Sequence, residues 1–225
     1  VFQQGAEGKR TGLMSMMGVE FEWVHADLEF DGKEFKDVAV RYKGNGTFME
    51  SRASTKRSLK IELNKYVKGQ KLNGLTTLNL HCNVTDASSM NEILSHRLYR
   101  DAKSPAPRTA FARVSVTVPG KYDHQYLGLY SMVEDIDKDF VEANFNKKKG
   151  AVLKPVTPNL FGDLGGEWPK YKQTYDPKTV PSVNEAQRVS VFSRHVTNAD
   201  DAEFAAKVGD YLAIEEFASY MAVTV

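Results

Sequence analysis

The sequence predicts an α+β fold in which an antiparallel sheet leads into a helical part. Three observations carry that assignment. Period-two alternation of apolar and polar residues is concentrated before residue 133, the turn signals Asp31-Gly32 and Pro119-Gly120 join pairs of strands, and helical spacing takes over after residue 183.

Taken in order, residues 1–18 hold glycines and the cluster Met14, Met16 and Met17 with no sustained period, and read as a lead-in or a short hairpin. Residues 19–30 and 35–42 are strands around the two-residue hairpin signal Asp31-Gly32. In the second of these Val38, Val40 and Tyr42 alternate with Ala39 and Arg41. Beyond it Leu59, Ile61 and Leu63 alternate with Lys60 and Glu62. Residues 49–56 are polar and read as a mobile flap or an ordinary surface loop. Residues 68–74 form a turn, and 76–82 alternate again, Leu78 and Leu80 facing one way, Asn79 and His81 the other. A helix is predicted over 87–103, with Asp86 or Ser88 as N-cap and Met90, Ile93, Leu94, Leu98 and Ala102 as its apolar face. Residues 111–118 and 126–133 make a hairpin, and Asp135, Asp137 and Asp139 favour the start of a short helix through Phe140, Val141 and Phe145.

Residues 150–156 read as a strand carrying Lys154, which must reach solvent or find an anion because an isolated buried charge is costly. Residues 157–182 are irregular. Helices follow over 183–196, over 199–208 with Asn198 as cap, and from 214 onward. The organisation is a lead-in (1–18), a sheet-rich part with one helix (19–135) and a helical part (136–225).

The chain of 225 residues is long enough for a substantial core, and 41% apolar and 26% charged residues are those of an ordinary globular protein. A formal net charge of +1 gives no electrostatic case for nucleic-acid or membrane binding. No apolar run approaches the roughly 20 residues of a membrane span. The single cysteine, Cys82, excludes an internal disulfide and a multi-cysteine metal site. The five histidines are scattered, no serine occupies a Gly-x-Ser-x-Gly elbow, and the aspartates at 135–139 lack the glycine and distal glutamate of a calcium loop. The chain starts at Val1 and ends at Val225 inside an apolar helical pattern, from which we expect a longer natural polypeptide.

The informative stretch is RYKGNGTFMESRASTKRSLK at 41–60. Gly44, Asn45 and Gly46 let a turn reach positive φ and aim backbone N–H groups at an anion, while Arg41, Lys43 and Lys60 add charge. A phosphate-holding loop and a plain hairpin turn with solvated basic neighbours both fit these residues. Glu92 either pairs with Lys60 or stands exposed in the first turn of its helix. A glycine turn, a strand lysine, a helix, a hairpin and an acidic connector follow one another in the order of a protein-kinase-like small lobe, in which the turn covers phosphates, Lys60 contacts them and the segment after residue 133 offers backbone groups to adenine.

The ordered set RYKGNGTF (41–48), KRSLKIEL (56–63), LNGLTTLNLHCNVTDASSMNEIL (72–94), YLGLYSMVEDIDKDFV (126–141) and GAVLKP (150–155) resembles the CotH kinases, a family named for spore coat protein H and described as atypical kinases with a divergent protein-kinase-like fold. The resemblance covers about residues 20–225. It implies ATP binding and transfer of phosphate to protein hydroxyls, with Mg2+ or Mn2+. It implies that Arg41, Lys43, Gly44 and Asn45 meet the phosphates, that Lys60 is the strand lysine, and that Glu134 lies at the adenine connector. The turn reads Lys-Gly-Asn-Gly-Thr where the family has Arg-Gly-Asn-Ser, and Glu92 is not where the family would fix a glutamate. The catalytic aspartate and the metal ligands are expected beyond Val225, so 136–225 would be a partial helical lobe and the chain by itself inactive. Family relatives also include spore-coat and cell-surface proteins, so a non-catalytic adhesion or assembly module is the alternative, with an exported or surface location.

Overall fold

The computed structural model describes residues 2–4, 19–44, 46–146, 150–155, 160–172 and 174–224. Met14, Met16, Met17, Asn45 and Val156, named above, lie outside them. The chain divides into two compact units, one holding residues 19–98 and 106–135, the other 99–105 and 136–225.

The first unit is built on a six-stranded antiparallel sheet. Its strands are β3 (Val24–Phe30), β4 (Lys33–Tyr42), β5 (Leu59–Glu62), β6 (Thr77–His81), β7 (Thr109–Val118) and β8 (Tyr122–Val133), in the order β3-β4-β5-β6-β8-β7. A separate pair, β1 (Phe2–Gln4) and β2 (Val19–Phe21), precedes it. Asp31 and Gly32 both take positive φ (49° and 71°), as the hairpin signal requires.

Register explains how one sheet carries two chemistries. Val40 lies opposite Ile61, Ile61 opposite Leu78, Leu59 opposite Leu80, and Leu80 opposite Met132. That row, with Val38, Leu63, Cys82 and Tyr130, forms the apolar core. One residue over, Arg41 lies opposite Lys60 and Lys60 opposite Asn79. Because the side-chain period is two, these polar residues share the other face, with Lys43 and His81 one step along.

Two expectations change here. Residues 49–56 are neither a flap nor a loose loop. The chain forms a short helix, α1 (Gly46–Glu50), and a 3-10 turn over Ser51–Ala53. Phe48 is buried against Phe21 and Tyr42 (ring centroids 4.7 and 5.5 Å apart), Ser51 is buried, and the Lys56 ammonium lies 5.4 Å from the Tyr130 ring centre. Tyr42 and Tyr130 belong to the apolar row, so this segment covers the face opposite Lys60. Gly46 is the first residue of the helix, and only Gly44 of the pair has positive φ (86°).

The helix predicted over 87–103 runs as α2 over Asn91–Asp101. Asp86 organises the turn before it, accepting from Ser88 N and Oγ and from Asn91 N, while Ser88 Oγ accepts from Met90 N. Its predicted apolar face stays largely open, with Met90, Leu94 and Leu98 exposed at 46%, 51% and 57%. The half-buried side is that of Glu92, Ile93 and His96. Burying a leucine is worth about 1.5–3 kcal/mol. The helix turns toward the sheet the side on which Glu92 accepts a hydrogen bond from His81.

In the second unit, α3 (Lys138–Phe145) is capped by Asp137, whose carboxylate accepts from Asp139 N and Phe140 N. The segment 150–155 forms no strand beyond one bridge, Leu153 to Pro177, and Lys154 is exposed to solvent. Within 157–182 a short helix, α4 (Trp168–Lys172), buries Tyr171. Then come α5 (Val183–Asn198), with a Ser182/Glu185 capping box, α6 (Asp201–Lys207) and α7 (Ile214–Thr224). The cap of α6 is Asp200, not Asn198, which ends α5 and donates to Arg194 O and Asp163 Oδ2. Among the described residues no helix is long and apolar enough to cross a membrane.

Candidate functional site

On the polar face of the sheet five elements bring their charged groups to one place. Lys43 follows β4 and is anchored by its N–H to Ser58 O at 3.0 Å. Its Nζ donates to Asn79 Oδ1 at 3.0 Å and meets His81 Nε2 at 2.6 Å. Lys60 on β5 donates from Nζ to Asp135 Oδ2 at 3.1 Å, and Asn79 Nδ2 donates to Asp135 Oδ1 at 2.9 Å. From α2, Glu92 Oε1 lies 2.6 Å from His81 Nδ1. The result is a continuous polar track, Lys60–Asp135–Asn79–Lys43–His81–Glu92.

Both carboxylates in this track are ionised. Burial pushes the Asp135 carboxyl up, but the Asn79 hydrogen bond and the charges of Lys60 and Lys43 outweigh it, and the group sits below its ordinary range. Glu92 follows the same logic: burial raises it, while the hydrogen bond from His81, with His96 and Lys43 nearby, brings it below its ordinary range. A lysine ammonium has donors and no acceptor. His81 therefore accepts at Nε2 from Lys43 and donates from Nδ1 to Glu92, as a neutral imidazole.

Gly44 adjoins the track. Its φ of 86° is left-handed, and a Cβ there would run into the Thr47 hydroxyl, so a side chain is disfavoured on both counts. Arg41 sits on the same face with its guanidinium 4.8 Å from the Trp23 ring centre; Lys65 stands 4.9 Å from that ring.

The structure thus brings Lys43, Gly44, Lys60 and Glu92 into one neighbourhood, with Arg41 beside Lys60 by register. Two pairings differ from expectation. The carboxylate on Lys60 is Asp135, and Glu92 goes to His81, because α2 presents Glu92 over β6 rather than β5. Glu134 is held by Arg108. Its N–H donates to Arg108 O at 2.9 Å, and its carboxylate accepts from Arg108 N, Nε and Nη2 at 2.9, 3.0 and 2.6 Å.

Asp135 and the Asn79–His81 pair were missed as site residues. The alternation that put Asn79 and His81 opposite Leu78 and Leu80 was the available signal for two of them. Asp135 reads as one of three helix-favouring acids, but only Asp137, the cap, and Asp139, in the first turn, have that role.

The fold and this site define a mixed α/β protein whose antiparallel sheet is apolar on one side and carries a lysine-carboxylate track on the other. The sequence model of the CotH kinase protein family matches residues 40–225, and the chain belongs to that family. The resemblance read from the motifs and the family match agree. No curated protein matches the chain.

Proposed function

We propose that this chain is the phosphate-holding part of a CotH-family kinase with a divergent protein-kinase-like fold, which transfers the γ-phosphate of ATP to Ser or Thr hydroxyls of proteins. The observation that supports it is the convergence of Lys43 and Lys60 through Asn79 and Asp135 beside the Gly44 turn. Two ammonium groups held beside a left-handed glycine suit an anion of several charges. In this reading Asp135 braces Lys60, keeping it extended along the sheet until a phosphate oxygen shares it.

Magnesium or manganese would supply neutralisation of the β- and γ-phosphate oxygens in such a reaction. The described residues include no group of three His, Cys, Asp or Glu side chains placed to hold a metal ion. We derive no metal-dependent step from these residues, and the contribution assigned to them is binding and orientation of phosphate.

The test is thermal stabilisation by ATP. A ligand at 100 times its Kd stabilises the native state by about 2.7 kcal/mol. The wild-type chain is expected to gain melting temperature with ATP, and Lys60→Met to gain none. Equal gains in the two proteins would overturn the reading. Transfer of labelled phosphate from ATP to protein reads the catalytic half of the proposal.

A further inference from the structure

We propose that His81 is a third anion-binding side chain of this face, which joins Lys43 and Lys60 by taking up a proton when a polyphosphate binds. This rests on the phosphate reading above and adds to it a residue and a proton.

The geometry is a relay across three elements. In the unliganded protein Lys43 Nζ has two acceptors on β6, Asn79 Oδ1 at 3.0 Å and His81 Nε2 at 2.6 Å. These hold the ammonium against the sheet. A polyphosphate beside Gly44 draws Lys43 toward its oxygens, and the Nε2 lone pair is then left with no donor. A proton from solvent fills it. His81 becomes an imidazolium with Nε2–H facing the anion and Nδ1–H still donating to Glu92.

The surroundings favour that charge. Glu92 Oε1, at 2.6 Å from Nδ1, accepts in both states and more strongly from an imidazolium. Glu92 keeps its negative charge well into acid. The other charged or titratable groups near His81 are Lys43 after β4, His96 on α2 with Nε2 4.0 Å from the same Glu92 oxygen, and Asp135 and Lys60 one hydrogen bond beyond Asn79. Ser131, opposite His81 on β8, is neutral, and its hydroxyl donates to Asn83. Against the neutral imidazole the imidazolium gains one near carboxylate and the anion itself, and it loses only the contact with a lysine that has moved.

Linkage fixes the sign. If bound anion favours the protonated form, affinity rises as pH falls, by up to about tenfold per pH unit for one proton. The experiment is calorimetric titration of the chain with ATP at pH 7.5, in Hepes and in Tris, which differ in ionisation enthalpy, for the wild type and for His81→Gln. Glutamine can accept from Lys43 and donate to Glu92 but cannot take up a proton. ATP's own titration is common to both proteins and cancels in the difference. The wild type is expected to take up more protons per ATP than the variant, by up to one, and to gain affinity relative to it between pH 8 and pH 6. Glu92→Gln supplies a second comparison should His81→Gln fail to fold; it keeps the imidazole and is expected to reduce the uptake. Equal uptake by the wild type and the folded variant, with ATP binding that depends on Lys60, overturns the role of His81 alone. No ATP binding by the wild type overturns both this inference and the reading beneath it.

Discussion

The two faces of the six-stranded sheet are made by the same strands and differ by a shift of one residue. Val40, Ile61, Leu78 and Leu80 form one surface, while Arg41, Lys60, Asn79 and His81 form the other. The apolar face is held by non-directional burial, so its members are replaceable by similar volumes. The polar face is held by directed contacts in which each group orients the next, so a single replacement there unsettles function before it unsettles the fold. The contrast separates what keeps this domain folded from what it can bind, strand by strand.

Substitutions test that separation, beginning with the largest effect. Leu63→Ala on the apolar face removes a fully buried side chain and is expected to cost about 2–5 kcal/mol in urea unfolding, with the remaining folded protein binding ATP as before. Loss of ATP binding in the folded fraction would break the contrast. Gly44→Ala imposes left-handed backbone on an alanine and a clash with Thr47. It is expected to lower stability by about 1–3 kcal/mol and to weaken ATP binding as well, because Gly44 directly follows Lys43.

Lys60→Met is expected to change stability by about 1 kcal/mol or less, since the Lys60–Asp135 pair is part-exposed, yet to abolish stabilisation by ATP. A large loss of stability with ATP binding retained would reverse the assignment. The smallest effect is an acid limb. Asp135 and Glu92 are both held below their ordinary values of 3.8 and 4.5. Their contribution is fully present above those values and is lost as pH falls through the lower folded-state values. Melting temperature is therefore expected to fall more steeply below about pH 4 in the wild type than in Asp135→Asn or Glu92→Gln, whereas Leu63→Ala keeps the wild-type slope.

Much of this was legible from local pattern. Alternation placed the strands of the central sheet within a few residues, and the Asp31-Gly32 turn followed from backbone sterics. The lysines and the glycine of the site stood out by residue type. What escaped was non-local. Asp135 reaches Lys60 across 75 positions of sequence, and nothing in its own neighbourhood distinguishes it from Asp137. The rotation of α2 was also hidden, because Met90, Leu94 and Leu98 obey helical spacing whether or not they are covered, and it took the demand of His81 for a carboxylate to turn Glu92 inward. Residues 49–56 misled by composition: Phe48, just ahead of a polar run, and the buried Ser51 within it fix the segment to the core.

On the phosphate reading, that anchoring sets how a ligand would come and go. From Gly46 on the chain forms α1, which Phe48 pins against Phe21 and Tyr42. Swinging the turn outward would drag three rings into water, so the turn serves as a fixed lip and not a door. Traffic past it is then set by lysine side chains, which rearrange in nanoseconds, rather than by slow backbone opening.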